Sequence, residues 1–135
     1  MKEFSINTKI YFGDKALDKL SEISNKKVLI ICDNFMKTSG IADKVASKLD
    51  NCEVSIYSDI VPDPSVQIVA FGVQKLRKLG ADIIIALGGG SSIDGAKAIR
   101  EYYKNLFKAD YRDIKFYAIP TTSGTGSEVT EYAVI

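Results

Sequence analysis

Two continuous apolar runs, Val28-Leu29-Ile30-Ile31-Cys32 and Ile83-Ile84-Ile85-Ala86-Leu87, constrain this chain more than any other feature. Neither alternates polar with apolar residues, so each reads as a strand buried on both faces. Such strands need helices above and below them, and the intervening segments carry that pattern. Leu17 and Leu20 stand at helical spacing within 15–23, and Ile41, Val45 and Leu49 recur at i, i+4 and i+8, which predicts a helix over roughly 40–49. Val61-Pro62-Asp63-Pro64-Ser65 breaks the chain. Ser65 is then placed to cap a helix over 66–79, and Gly80 to end it as the C′ residue. A last helix is expected from Ser92 to about Phe107.

The strands expected are 4–12, 28–32, 53–57, 82–87 and 116–119. Strand and helix alternate, so the sheet should be mostly parallel with right-handed crossovers. The expected fold class is α/β, a Rossmann-like, mostly parallel sheet with flanking helices. Residues 129–135 read as a strand that has only begun where the sequence stops. The domain over 1–135 is therefore expected to be truncated at its C-terminal end.

Composition narrows the partners. Lys plus Arg total 18 and Asp plus Glu 17, a net charge of +1. The basic excess or stripe of a nucleic-acid domain is missing, so no nucleic-acid partner is expected. The apolar run 83–87 is far too short to span a bilayer, and Met1–Ser5 lacks the apolar stretch of a signal peptide. No membrane partner is expected, and the expected setting is the cytoplasm. Cys32 ends one expected strand and Cys52 precedes the next, which in a parallel pair puts them at opposite ends of the sheet. They should not bridge, and reduced thiols fit that setting.

Two loops carry the chemistry, each after an expected strand. The first is Gly88-Gly89-Gly90-Ser91-Ser92, leading into a helix. Ligands of open α/β sheets bind outside the carboxyl ends of the strands. Bare glycines let a diphosphate approach the backbone, and a helix N-terminus adds free N–H groups and partial positive charge. Ser91 or Ser92 can cap that helix or donate to a phosphate oxygen. Asp94 stands in its first turn, where the dipole stabilises a carboxylate, or else faces the ligand. The loop is neither GxxxxGK[ST] nor GxGxxG. A tight, well-capped strand–helix turn is the plainer alternative, although three consecutive glycines carry an entropic cost that a mere turn does not require.

The second loop, Pro120-Thr121-Thr122-Ser123-Gly124-Thr125-Gly126-Ser127, offers a row of hydroxyls and backbone donors. With the first it could clasp a dinucleotide from two sides; the alternative is a disordered tail. Asp33 directly follows a buried strand. An acid there can accept both ribose hydroxyls and repel a 2′-phosphate, favouring NAD over NADP. Because it precedes the glycines by more than fifty residues it belongs to no standard fingerprint, and a simple turn or cap role stands equally open.

GGGSSIDGAKAI at 88–99 followed by IPTTSGTGSEVT at 119–130 resembles the iron-containing alcohol dehydrogenases, over essentially the whole chain, and within them the 1-propanol dehydrogenase-like branch. The resemblance implies an NAD(P)-dependent interconversion of primary alcohols and aldehydes. It implies a dinucleotide-binding domain over 1–135 and small alcohol or aldehyde substrates for the full-length enzyme, and it points to a homo-oligomer. By the same resemblance Gly89, Gly90 and Ser91, with Gly88 before them, bind the pyrophosphate. Asp94 lies near the nicotinamide, and Thr121, Thr122 and Thr125, with Ser123 among them, hold the cofactor. Asp33 takes the adenosine ribose, which favours NAD, and Asp63 stands where relatives often carry Asn in a cofactor-contacting PxP turn. Family members hold a catalytic iron, sometimes zinc, through one Asp and three His of a helical C-terminal domain. This sequence contains no histidine, so the polypeptide alone is expected to lack metal-dependent dehydrogenase activity. Three other readings are a non-catalytic nucleotide-binding module, a related polyol or sugar-phosphate dehydrogenase or dehydroquinate-synthase-like protein, and an interaction fragment.

Overall fold

The computed structural model describes residues 16–108 and 113–121. The strands expected at 4–12 and 129–135 lie outside the described residues. Four strands, β1 (Lys27–Ile31), β2 (Glu53–Tyr57), β3 (Ile83–Gly88) and β4 (Lys115–Pro120), form one sheet in the order β2-β1-β3-β4. Every pair in it is parallel. The α/β class and the parallel sheet are thus as the alternation of strand and helix implies, and each strand begins and ends within one residue of its expected limit.

The two-period of the strands sorts their side chains between two cores. Val28, Ile30, Ile83, Ile85 and Leu87 point to one face, where they meet Leu17 and Leu20 of a 3-10 helix (Ala16–Glu22) and Ala42 and Val45 of α2 (Ile41–Ser47). Leu29, Ile31, Ile84 and Ala86 point to the other, against α3 (Val66–Leu79) and α4 (Gly90–Leu106). Burial of both faces explains why β1 and β3 read as unbroken apolar runs. The segment around Leu17 and Leu20 corrects an expectation in kind. Their spacing of three residues is the repeat of a 3-10 helix, in which side chains at i and i+3 eclipse.

Helix α3 is set by local chemistry at both ends. The Ser65 hydroxyl accepts the Ile68 N–H at 3.2 Å. At the other end Gly80 adopts φ +65°. Its N–H reaches the Arg77 carbonyl, and the Ala81 N–H reaches that of Leu76, the paired bonds of a Schellman ending. The α3–α4 contact depends on a second glycine. A Cβ on Gly72 would stand 2.8 Å from Ile99 Cγ1 and 3.1 Å from Tyr57 Cε2, so the two helices approach over a bare Cα.

Sheet order decides where a ligand can sit. The β1–β2 crossover lies on one face and the β2–β3 crossover on the other, as same-handed connections require once the chain reverses direction across the sheet. The reversal falls between β1 and β3. Their carboxyl ends therefore open onto the crevice of a topological switch point.

Candidate functional site

The crevice is built from the residues that follow β1, β3 and β4. Ile31 of β1 is paired with Ala86 of β3, so Asp33 and Gly88, each two residues on, leave the sheet at the same level. Gly88 is in turn paired with Pro120 of β4, and the Thr121 N–H donates to the Gly88 carbonyl at 2.9 Å. The first loop and the start of the second are thus joined directly. Thr122, Ser123 and Thr125 lie outside the described residues.

The three glycines do different work. Gly88 is buried and has φ +132°, a conformation that side-chain-bearing residues rarely adopt. A Cβ on it would stand 2.8 Å from Ser92 Oγ. Gly89 and Gly90 are exposed, and no atom of the described residues lies within 4 Å of where their Cβ atoms would be. Gly88 therefore shapes the turn, while Gly89 and Gly90 leave their backbone open to an approaching group.

Three expectations about the following helix are corrected. Helix α4 starts at Gly90, not Ser92, and its N-cap is Gly89, with no side-chain cap hydrogen bond. Neither serine caps it: Ser91 is exposed in the first turn, and Ser92 is buried with its hydroxyl beneath Gly88. The positive φ of Gly88 turns the chain early, so a hydroxyl is not needed to begin the helix. Asp94 consequently falls beyond the first turn, which holds no acidic residue, and it is exposed. Among the described residues no acceptor meets the N–H groups of Gly90 and Ser91. They stand at the positive end of a 17-residue helix.

Thr121 is 7% exposed, and its Oγ1 is buried with no hydrogen-bond partner among the described residues. Buried hydroxyls are nearly always paired, so this atom marks a place for an absent acceptor or donor beside Gly88.

Asp33 half-buries its carboxylate at the end of β1. Its Oδ1 accepts the Met36 N–H at 2.9 Å and so caps a helix the sequence did not announce, α1 (Asn34–Thr38). The cap reading of Asp33 is therefore realised, and it leaves Oδ2 without a partner among the described residues. Asp63 is exposed and adopts φ +48°. Asp and Asn are the side-chain-bearing residues that tolerate this best, which gives the position a conformational reason of its own. The sequence marks Ser92 for a cap or a phosphate but not for its place beneath Gly88, and it does not mark Met36 at all, because nothing local identifies a side chain that approaches a glycine from another element.

Cys32 and Cys52 are free. Burial pushes the Cys32 thiol from the ordinary 9.0 up to about 12, with the neighbouring Asp33 carboxylate adding to the shift. The folded chain thus holds this proton more tightly than the unfolded chain. The stabilisation is complete below pH 9.0 and is lost as the pH rises toward about 12. Urea midpoints should fall more steeply above pH 9 in the parent chain than in Cys32→Ala; parallel slopes would show that another group governs alkaline unfolding.

Among the described residues no group of three or more His, Cys, Asp or Glu converges. No helix there is long and apolar enough to cross a membrane.

Comparison with known proteins fits this arrangement. The family model described as iron-containing alcohol dehydrogenase matches residues 7–135. The 1-propanol dehydrogenase PduQ of Citrobacter freundii is 44% identical over 137 residues, covering 100% of this chain and 36% of that protein. The NADPH-dependent butanol dehydrogenase of Clostridium saccharobutylicum is 39% identical over 150 residues, covering 100% of this chain and 39% of its own length. The crystal structure of an iron containing alcohol dehydrogenase superposes with a TM-score of 0.72 at 27% identity, over 96% of this chain and 40% of the other. The chain thus spans little more than a third of these relatives.

Proposed function

The chain belongs to the iron-containing alcohol dehydrogenase family, and on that premise we propose that it supplies the dinucleotide-binding part of an enzyme that moves hydride between a nicotinamide cofactor and a primary alcohol or aldehyde. The observation that carries the cofactor half of this reading is the buried, unpartnered hydroxyl of Thr121 beside the open backbone of Gly89 and Gly90. A pyrophosphate supplies the acceptors these groups lack. The free N–H groups of Gly90 and Ser91 and the α4 dipole favour its charge.

In this reading Gly88, Gly89, Gly90, Ser91 and Thr121 hold the pyrophosphate, and Asp33 meets the adenosine ribose through the oxygen its cap leaves free. Asp94, Asp63, Thr122, Ser123 and Thr125 complete the cofactor contacts. The cofactor is NAD in preference to NADP, because a carboxylate at Asp33 repels a 2′-phosphate. One relative is named for NADPH, so the preference rests on this chain's own acid. The reading includes a homo-oligomer in the cytoplasm with no nucleic-acid partner. The divalent metal of the family finds no fitting ligand set among the described residues, and the sequence has no histidine. The role assigned to this chain is therefore to bind and orient the dinucleotide.

Titration with NADH and NADPH, followed by calorimetry, tests both halves. NADH should bind, and NADPH should bind about tenfold more weakly or worse, the scale of one unfavourable charge contact. Gly89→Ala should retain the parent's thermal stability, since no described residue lies near the added methyl, yet lose affinity because the methyl occupies the ligand's path. Unchanged NADH affinity in Gly89→Ala would remove the first loop from the site.

A further inference from the structure

We propose that Met36 is a positioning residue for the glycine loop, held in place by the same Asp33 carboxylate that faces the cofactor; its link to binding rests on the dinucleotide reading above.

Helix α1 has five residues, and Met36 is its one buried side chain. A helix this short has little stability of its own. Two bonds fix it from outside: the Asp33 cap on the Met36 N–H at 2.9 Å, and the Lys37–Asp43 ion pair at 2.9 Å, which ties it to α2. What α1 delivers is Met36, 2% exposed, to the end of β3. Its Cγ lies 3.9 Å from the point where a Cβ on Gly88 would stand. On the same side of Gly88 are Ser92 Oγ at 2.8 Å and Ser92 Cβ at 3.2 Å. The Gly88 carbonyl is pinned separately by the Thr121 N–H.

Gly88 is thus braced by three elements: α1 through Met36, α4 through Ser92, and the end of β4 through Thr121. The open pair that follows, Gly89 and Gly90, inherits its position from Gly88, and binding groups must be held to a fraction of an ångström to act together. Asp33 divides its two oxygens between tasks: Oδ1 secures Met36, and Oδ2 is left for a ligand. An unbranched thioether adapts to irregular space beside a glycine that has no side chain of its own. Truncating it leaves Gly88 unsupported on the α1 side without touching any ligand-facing group.

The test compares Met36→Ala, Met36→Val and Met36→Leu with Leu49→Ala, a control at a residue of the same core that is also 2% exposed but precedes the amino end of β2. Two probes, ADP and adenosine, separate the phosphate contacts from the rest. Met36→Ala should weaken ADP about tenfold and leave adenosine unchanged. Met36→Leu should restore ADP binding, and Leu49→Ala should lose stability with ADP affinity intact. Where Met36→Ala fails to fold, Met36→Val carries the same comparison. Amide exchange at Gly89 and Gly90 without ligand gives a second readout, expected to quicken in Met36→Ala or Met36→Val and not in Leu49→Ala. Exchange that does not change overturns the proposal, as does a loss of ADP and adenosine affinity in equal measure. If the parent chain binds neither probe while the exchange effect is present, the dinucleotide reading fails and Met36's support of the loop stands.

Discussion

Gly88→Ala should both destabilise the chain and abolish measurable dinucleotide binding. At φ +132° an L side chain is strained, by roughly 1–3 kcal/mol. The new methyl would also meet Ser92 Oγ at 2.8 Å and Ser92 Cβ at 3.2 Å. Ser92 is 2% exposed in the first turn of α4, so relief requires the helix start to shift, at a further cost of about 1–3 kcal/mol. Urea unfolding should therefore show a loss of roughly 2–6 kcal/mol. Moving the start of α4 also displaces the N–H groups of Gly90 and Ser91, so NADH affinity should fall at least about a hundredfold. The companion Gly89→Ala has neither the strain nor the clash. Equal stability losses in the two variants would show that Gly88 is not the conformational pivot described here.

Thr121→Val should move stability and binding in opposite directions. The Thr121 hydroxyl is buried without a partner among the described residues, an arrangement that destabilises a folded chain by about 1–3 kcal/mol. Valine keeps the branched shape and removes the unpaired oxygen, so the ligand-free variant should be more stable than the parent by roughly 1 kcal/mol. Its NADH affinity should fall by about ten- to a hundredfold, the worth of a hydrogen bond to a charged group. A core threonine with no ligand role would give the gain in stability with no change in affinity, and that result would take Thr121 out of the site. Measuring both quantities on one preparation separates a hydroxyl retained for a ligand from one that is merely tolerated.

The features legible in advance share one property: their cause lies within a few residues. The strands were readable because β1 after Lys27, and β3, are buried on both faces and so run as unbroken apolar stretches. Helix α3 was readable at both ends because a serine hydroxyl caps one and a glycine at positive φ closes the other. The glycine loop, and the acid after β1, could be placed at carboxyl strand ends for the same reason. Helix α1 escaped notice because five residues with one buried side chain show no period. Helix α4 starts two residues before the serine expected to begin it, because its start depends on the backbone at Gly88 rather than on a hydroxyl.

By itself, then, the sequence determined the α/β class, the positions of four strands, the family and the segments that carry the chemistry, since each follows from hydrophobic period, capping or a contiguous motif. The tertiary structure alone decided the strand order β2-β1-β3-β4 and with it the placing of Asp33, Gly88 and Thr121 at the carboxyl end of one sheet. It also decided that Met36 and Ser92 brace Gly88 and that the Thr121 hydroxyl lies buried and unpaired. These are contacts between elements far apart in the chain, formed only when both faces of the sheet are covered, and no local pattern encodes which residues they join.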